Sequence, residues 1–316
     1  MHKSASDSTV PANQSCSPPG VPLLVACHDA GAANLIFAWL WQWLESGALN
    51  RSDLLLALEG PAQDIAVRTG LSALGRTSSL ESLTDRLGCV LSGTGWQSDW
   101  EHRARQLARN RKVHSIAVID HWVNYPARFI RDNALCLPDE LWVSDEYAER
   151  IAMQTFPSLP VYRQPNFYLM REVSKISPLV PSRGDTLYLL EPTRTTWGRS
   201  DEGEFQALDY FIQHRHLITP CPEPRVRLRL HPSEPSDKYH DWIAANGNHA
   251  VCVDDAEDLA VSISRASVVI GIQTAAMVIA LAAGRAVYSS LPPWAGEFAL
   301  PHRGILQLRQ LNPADS

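Results

Sequence analysis

The chain has 316 residues, enough for two domains of roughly 150 residues each. Hydrophobic residues make up 45% and charged residues 20% of it, a globular composition that excludes disordered, collagen-like and coiled-coil proteins. Lys and Arg total 28 against 34 Asp and Glu, and the net charge of −6 provides no overall basic field for binding nucleic acid.

The ends of the chain and its cysteines bear on its location. Residues 1–20 are rich in Ser, Pro and Asn and lack the apolar core of a signal peptide, so they predict a disordered tail. The cysteines, Cys16 and Cys221 among them, show no C-x-x-C or metal-finger spacing, and no run reaches the ~18 apolar residues of a membrane span. These features predict a cytoplasmic protein without a metal site or transmembrane segment, and peripheral membrane association stays open.

Short apolar runs alternate with helical patterns from residue 21 to residue 172. The runs read VPLLVAC, DLLLALE, GCVLSGTG, HSIAVID and ELWVS. A helix is predicted after each of them, over 98–110 after the third run and following a turn after the fourth. Continuous apolar strands that alternate with helices are typical of a parallel sheet covered on both faces. Residues 21–172 therefore predict a Rossmann-like domain.

The segment after Met170 mixes Pro, Ser and charge without periodicity and predicts an interdomain linker up to Asp185. A second strand and helix series then fills residues 185–316. Its helices are predicted over 202–214, 237–245, 257–265 and 274–283. The expected fold is α/β, with two doubly wound, Rossmann-like parallel-sheet domains that face a cleft.

Polar residues that follow strands are the candidates for chemistry, because ligands of open parallel sheets bind beyond the carboxyl ends of the strands. After the first strand come His28 and Asp29, then a turn of small residues as far as Asn34. Either side chain could take a proton from a hydroxyl group. The structural alternative is an Asp helix cap beside a surface His.

Two further groups follow strands of the first domain. Thr94 and Trp96 lie in a glycine-containing loop that suits binding, or that is a flexible capped turn. The other group combines acid-base, stacking and hydrogen-bonding side chains within one turn, and its alternative is a structural Asp–Arg cap. Its members are Asp120, His121, Trp122, Tyr125 and Arg128.

The second domain offers three groups at strand ends. Thr193 and Arg194 combine a hydroxyl with a guanidinium and predict an anion site, or an ordinary turn. The backbone of His231 is restrained by Pro232, which leaves the imidazole free to reach a phosphate or ribose. The turn with Gly271, Gln273 and Thr274 precedes a predicted helix, where amide and hydroxyl groups suit a phosphate.

At the His-Pro pair and the G-I-Q-T-A-A turn, the chain resembles the GT-B glycosyltransferases, in particular bacterial capsule- and sialyl-type enzymes with a His-Pro motif. It is similar as well to the related nucleotide-sugar 2-epimerases and hydrolases. The resemblance implies that His231 contacts the donor phosphate or ribose. It places Gln273 and Thr274 at the phosphate region and makes Arg194 a supporting ligand. It implies an acceptor-binding first domain with the catalytic base just after the first strand.

Together these observations predict metal-independent transfer of a sugar from a nucleotide-sugar co-substrate to a hydroxyl of a glycan or other acceptor, in bacterial surface polysaccharide or glycoconjugate synthesis. No other cofactor is expected. Asp29 is the favoured base, followed by Asp120 and His28. The acceptor would meet the remaining first-domain candidates, Asn34, Thr94, Trp96, His121, Trp122, Tyr125 and Arg128. CMP- and UDP-sugars both stay open, as do an epimerase or hydrolase and a non-catalytic binding protein.

Overall fold

The computed structural model describes residues 17–77, 79–80, 86–96, 98–179, 184–219 and 225–311. At residues 76, 77 and 248 it describes the backbone alone. Cys16, Cys221 and residues 1–16 of the predicted tail lie outside these ranges. The chain divides into two compact units, unit 1 ending at Phe167 and unit 2 beginning at Tyr168. None of the described helices is long and apolar enough to cross a membrane.

Unit 1 is built on a parallel sheet of seven strands. They are β1 (Leu23–Cys27), β2 (Leu54–Leu58), β3 (Arg76–Thr77), β4 (Cys89–Ser92), β5 (Ser115–Ile119), β8 (Glu140–Val143) and β9 (Val161–Arg163). A separate antiparallel hairpin pairs β6 (Ile130–Arg131) with β7 (Ala134–Leu135). The order across the sheet is β3-β2-β1-β4-β5-β8-β9. It reverses direction between β1 and β4, the point at which doubly wound sheets bind ligands.

The apolar sequence of β1 follows from its central place in this sheet. Each of its five residues is buried, because strands pair with it on both sides and helices cover both faces. Val25 is paired with Leu56 on one side and with Leu91 on the other. This register brings the residues after β1 and β4 to the same edge of the sheet.

The helices of unit 1 are α1 (Ala30–Glu45), α2 (Gly60–Arg68), α3 (Trp100–Arg111) and α4 (Glu146–Thr155). The buried face of α1 carries Trp39 and Trp43, both of which meet Trp142 edge to face. The indole Nε1 of Trp39 donates to the carbonyl of Pro165 at 2.7 Å. Three of the ten tryptophans, Trp39, Trp43 and Trp142, therefore pack in the core of unit 1.

The region between β5 and β8 differs from its prediction. A turn and an α-helix were expected, whereas the structure has a 3-10 turn, Pro126–Phe129, followed by the β6–β7 hairpin. Asp132 and Asn133 both adopt positive φ at the tip of the hairpin, as a two-residue turn between right-twisted strands requires. The Asp-Asn pair is thus a turn signal within the sequence predicted to be helical.

Unit 2 is built on a second parallel sheet of six strands. They are β10 (Asp185–Leu189), β11 (Val226–Arg229), β12 (Val251–Val253), β13 (Ala266–Gly271), β14 (Ala286–Ser289) and β15 (Ile305–Gln307). The order is β12-β11-β10-β13-β14-β15, with the reversal between β10 and β13. Two Rossmann-like sheets were predicted, and both are confirmed.

The helices of unit 2 are α5 (Phe167–Ser174), which starts at the unit boundary, α6 (Gly203–His214), α7 (His240–Ala245), α8 (Leu259–Ser264), α9 (Ala276–Ala282) and α10 (Leu308–Leu311). The segment predicted as an irregular linker thus begins as a helix. Helices α7 to α9 are shorter than predicted, because each begins after the first residue of the range predicted for it from the sequence. Asp258, for example, accepts from the amide of Val261 at 2.8 Å and starts α8.

Strand β11 carries a buried arginine that is fully paired. Arg227 Nε donates to Asp185 at 2.8 Å, and its terminal nitrogens bind Asp254 and the carbonyl of Ser262. A buried charge without such partners would be strongly destabilising. The network therefore fixes β11 beneath His231, which follows that strand.

Candidate functional site

At the carboxyl edge of the sheet in unit 1, β1 ends in His28 and Asp29. Their side chains form a pair, with imidazole Nδ1 lying 2.7 Å from Asp29 Oδ1. Because a carboxylate oxygen accepts, the ring proton lies on Nδ1 and Nε2 is left as the acceptor. Both side chains are partly exposed, at 21% and 25%. Asp29 is also the N-cap residue of α1, although its side chain makes no capping bond.

At this edge, four ionisable side chains each pack directly against the backbone of a glycine, in the space that a Cβ would occupy. A Cβ added at any of these glycines would lie between 1.8 and 2.6 Å from a polar atom of the opposed side chain, closer than real Cβ contacts come. The pairs are Gly31 with Asp120, Gly60 with His28, Gly93 with Glu101, and Gly95 with Asp29. The glycines following β1, β2 and β4 thus let four titratable groups gather in a small space.

Asp120, which follows β5, is held by an ion pair. Arg128 Nη1 lies 3.0 Å from Asp120 Oδ1 and 3.2 Å from the hydroxyl of Thr94. That hydroxyl donates in turn to the carbonyl of Val118 at 2.9 Å. Thr94 and Arg128 are buried. Both were predicted to bind an acceptor, and the structure uses their polar groups to support Asp120.

The other predicted acceptor residues of unit 1 differ in exposure. Tyr125 lies in the core, where its hydroxyl donates to the carbonyl of Ala148 at 3.4 Å. Trp122 is half-buried, and its Nε1 donates to Asp145 at 2.9 Å. Trp96 is 61% exposed at this edge.

Asn34 and His121 are half-buried. Asn34 lies in the first turns of α1, and His121 lies beside Trp122. Burial lowers the pKa of His121, which keeps its ring neutral, and its Nδ1 has no partner among the described residues.

Glu101 was missed by the sequence analysis. Its side chain is fully buried, and its Oε1 accepts from the backbone amide of His28 at 3.0 Å. Burial raises its pKa, the negative charge of Asp29 raises it further, and the guanidinium of Arg105 opposes both. A signal was present in the sequence: Glu101 and Arg105 share an i, i+3, i+4, i+7 stripe with Ala104 and Ala108, which is the buried face of α3.

In unit 2, His231 follows β11 and is prepared to donate a hydrogen bond. The backbone amide of Ser233 donates to its Nδ1 at 3.2 Å, and the hydroxyl of Ser233 lies 2.8 Å from the same atom. A neutral ring whose Nδ1 accepts carries its proton on Nε2. Burial lowers the pKa of His231, the charge of Glu234 raises it and that of Arg194 lowers it. Pro232, next in the chain, is exposed.

The loop after β10 presents Arg194, an exposed residue in the left-handed region at φ 54°. Among the described residues no carboxylate pairs with its guanidinium. Thr193, its neighbour, donates through its hydroxyl to Glu204 at 2.6 Å. Gln206 supports the loop by donating to the carbonyls of Thr196 and Asp201 at 2.6 and 2.7 Å. The loop is therefore held from α6 while Arg194 projects from it.

A cavity of about 400 Å³ adjoins this loop. It is lined by Pro192, Arg194, Thr195, Thr196, Glu202, Glu204 and Lys238. Lys238 binds three carboxylates, those of Glu202 at 3.2 Å, Glu234 at 2.8 Å and the buried Glu204. The pKa of Glu204 is lowered to about 2, and although its burial opposes this, the hydrogen bonds from Lys238 and Thr193 outweigh the burial.

The turn after β13 is closed by internal bonds. The backbone amide of Gln273 donates to the carboxyl group of Glu191 at 3.2 Å, and the side-chain oxygen of Gln273 accepts from the backbone amide of Ala299. Burial raises the pKa of Glu191 to about 8. The hydroxyl of Thr274 accepts from Ala276 at 3.4 Å, and α9 starts two residues later than predicted. At Gly271 a Cβ would lie 2.9 Å from the sulfur of Met277, so a larger residue there would require this flexible side chain to move.

Among the described residues, no three His, Cys, Asp or Glu side chains form a group that would hold a metal ion.

Known structures share this fold at low sequence identity. Anabaena HepE in complex with UDP is 9% identical at a TM-score of 0.54, covering 84% of this chain and 80% of that one. Neisseria meningitidis UDP-GlcNAc 2-epimerase bound to UDP-GlcNAc is 13% identical at a TM-score of 0.54, and the match covers 81% of this chain and 78% of that one. S. aureus MnaA with UDP is 11% identical at a TM-score of 0.55, and the match covers 84% of this chain and 78% of that one.

No protein-family model and no curated protein sequence matches the chain. The structural likeness confirms a fold of two Rossmann-like domains, as in GT-B proteins. The likeness to sialyl-type enzymes through the His-Pro pair stays a prediction.

We expect Gly31→Ala to destabilise the protein by about 1–3 kcal/mol, because its methyl group would displace the carboxylate of Asp120 from Arg128. Helix propensity predicts the opposite, since Ala is favoured over Gly within a helix. Thermal unfolding measures the difference. Gly247→Ala is the control, because its Cβ would enter open space. An equal or higher melting temperature for Gly31→Ala would contradict the crowding.

We expect the free energy of unfolding to fall as pH rises from about 5 to about 8, because folded Glu191 keeps its proton while the unfolded chain releases it. Glu191→Gln removes this contribution, so the variant gains stability over the wild type at pH 8 and not at pH 4. Urea midpoints across this range measure the effect. The exposed Glu257→Gln is the control, and parallel curves for Glu191→Gln and the wild type would show that Glu191 ionises normally.

Proposed function

We propose that the protein is a glycosyltransferase that moves a sugar from a nucleotide-sugar donor to a hydroxyl group of an acceptor. The observation that carries the proposal is the difference in charge between the carboxyl edges of the two sheets. Unit 1 gathers the carboxylates of Asp29 and Asp120, whereas unit 2 presents Arg194 and the Nε2–H of His231. A phosphate is attracted to the second edge, whereas the carboxylate of Asp29 favours a neutral hydroxyl at the first, where Arg128 compensates the charge of Asp120.

The donor phosphates are assigned to unit 2. Arg194 and His231 lie close enough for the charge of one to shift the pKa of the other. A guanidinium and a neutral imidazole that donates suit the oxygens of a phosphate ester. The acids on this edge do not oppose that role, because Glu204 is paired with Lys238 and burial keeps Glu191 protonated at neutral pH.

The cavity beside Arg194 is assigned to a hydroxyl-bearing ring of the donor. It is large enough for one ring, and its Thr195 and Glu202 carry oxygens that accept hydrogen bonds from hydroxyl groups. Glu202 is 61% exposed, so one of its oxygens is available to a ligand. The loop that carries these residues is held in place by Gln206 before any ligand binds.

The acceptor is assigned to unit 1, with His28 as the base and Asp29 as its partner. Asp29 uses Oδ1 to hold Nδ1 of the ring, which leaves Nε2 to take the proton. The acceptor oxygen then attacks the anomeric carbon of the sugar while the bond from that carbon to the phosphate oxygen breaks. The electron pair leaves on the phosphate, where Arg194 and His231 stabilise the charge. Trp96, exposed at the same edge, is suited to stack on a sugar ring.

A second reaction suits the same groups. The His28–Asp29 pair could activate water, or with Asp120 move a proton on the donor sugar itself, so a nucleotide-sugar hydrolase or epimerase is the alternative. Analysis of products from donor alone separates the two, because only the alternative consumes donor efficiently without an acceptor.

We expect one member of a panel of CMP, UDP, GDP, ADP and CDP to raise the melting temperature of the protein, and so to identify the donor nucleotide. His231→Ala should weaken binding of that nucleotide about 10- to 100-fold by calorimetry, because a hydrogen bond to a charged phosphate is lost. His240→Ala, exposed in the same unit, is the control. Unchanged affinity in His231→Ala would remove His231 from the site.

We expect Asp29→Asn and His28→Ala to bind donor normally and to lose turnover by about 10²- to 10⁴-fold, because proton removal is impaired. Steady-state rates with donor and acceptor measure the loss. Asp99→Asn is the matched control, since Asp99 is an exposed carboxylate near the same edge that pairs with Arg131. Full turnover in both variants would move the base to Asp120.

A further inference from the structure

Glu101 lies directly beneath the turn that carries His28 and Asp29. It projects from the first turn of α3, is 0% exposed, and its Oε1 lies 3.0 Å from the backbone nitrogen of His28. Gly93, the residue after β4, admits it, because a Cβ there would lie 2.4 Å from the same oxygen. The carboxyl group thus joins α3 and the end of β4 to the end of β1.

Packing alone does not account for this carboxyl group. Its Oε2 is buried and meets no partner with full hydrogen-bond geometry among the described residues, although the thiol of Cys27 and the amide of Asp29 lie close to the carboxyl group. Arg105, one turn along α3, does not supply the missing bond. Its terminal nitrogens donate instead to Ser92, to the carbonyl of Gly93 and to the carbonyl of Arg128. An apolar side chain of similar size would be cheaper to bury.

The bond to His28 is what a shorter or apolar side chain would lose. The ring of His28 pairs with Asp29, and the position of the His28 backbone determines where that ring lies. Small changes in that position are magnified at the ring, and a base needs its geometry within about 0.5 Å. Burying a carboxyl group at this place is therefore the cost of keeping the turn in position.

We propose that Glu101 is the positioning residue of the His28–Asp29 pair, holding the backbone of the turn so that the imidazole meets the Asp29 carboxylate in a single tautomer. This inference rests on the proposed role of His28 as the base. Glu101 does not touch the substrate, because it has no exposed surface.

The charged groups that surround Glu101 come from every neighbouring element. Asp29 lies on the turn above it, Asp120 and its partner Arg128 lie beyond β5, Arg105 lies on α3, and the thiol of Cys27 ends β1. Burial, with the charges of Glu101, Asp120 and Asp29, raises the pKa of this thiol well above its usual range, so it stays protonated. Burial raises the pKa of Glu101 and the charge of Asp29 raises it further, while the hydrogen bond from the amide of His28 and the charge of Arg105 act in the opposite direction.

Ring nitrogen NMR of His28 tests the proposal without reference to turnover, since the two nitrogen shifts separate when one tautomer dominates. The wild type and Glu101→Gln, which keeps an oxygen at the same reach, should both show a single Nδ1–H tautomer. Glu101→Met, which lacks an acceptor, should show a mixture. Glu140→Gln, a carboxyl change at the amino end of β8, is the matched control and should leave the spectrum unchanged.

Turnover provides the second readout. Glu101→Met should lose about 10²-fold in kcat with the KM for donor unchanged, and Glu101→Gln should keep most of the wild-type rate. Should Glu101→Met fail to fold, Glu101→Asp takes its place, because the shorter side chain withdraws the acceptor while keeping the acid.

Two results would overturn the proposal: a single tautomer in Glu101→Met or Glu101→Asp, or a mixture in Glu101→Gln. If no donor is turned over by the wild type, the proposed function fails, while the tautomer measurement still decides the role of Glu101.

Discussion

The parallel pairing of β1 between β2 and β4 is the constraint on which the first site depends. It makes β1 the strand at which the sheet reverses direction, so the residues after β1 and β4 meet at one edge. Ionisable side chains gather at that edge at the cost of mutual repulsion and crowding. Glycines relieve the crowding, and the ion pair of Asp120 with Arg128 relieves part of the repulsion. The fold thus brings these strand ends together, and the glycines and the ion pair allow ionisable side chains to lie close to one another there.

The same topology recurs in unit 2 with the opposite electrostatic outcome. There the carboxylates are paired or neutral, since Lys238 binds Glu204 and burial holds the pKa of Glu191 at about 8. What remains available is the guanidinium of Arg194 and the Nε2–H of His231. Two sheets of one design therefore present different groups at their carboxyl edges, carboxylates in unit 1 and hydrogen-bond donors in unit 2.

Much of the candidate site in unit 1 is built on side chains that are buried and bonded within the protein. Thr94, Arg128 and Tyr125 were expected to bind an acceptor, yet they are buried and bonded internally. Their side chains do form hydrogen bonds, as the sequence analysis expected of Tyr125 and Arg128, but the bonds lie within the protein. Thr94 and Arg128 instead support the half-buried carboxylate of Asp120, and Tyr125 bonds to the carbonyl of Ala148 in the core. Glu101 has the same relation to His28, from a helix that the sequence presents only as charged.

The amino-acid sequence by itself determined the two Rossmann-like domains, since continuous apolar strands alternating with helices allow little else. It also placed His28, Asp29, Asp120, Arg194 and His231 at strand ends, because a parallel sheet brings those ends to one edge. Only the tertiary structure decided which polar side chains face solvent, which ring nitrogen of His28 and of His231 carries the proton, and that burial keeps Glu191 protonated at neutral pH. These properties depend on contacts between residues far apart in the chain, such as Glu101 with His28 and Glu191 with Gln273. The local pattern of the sequence does not predict such contacts.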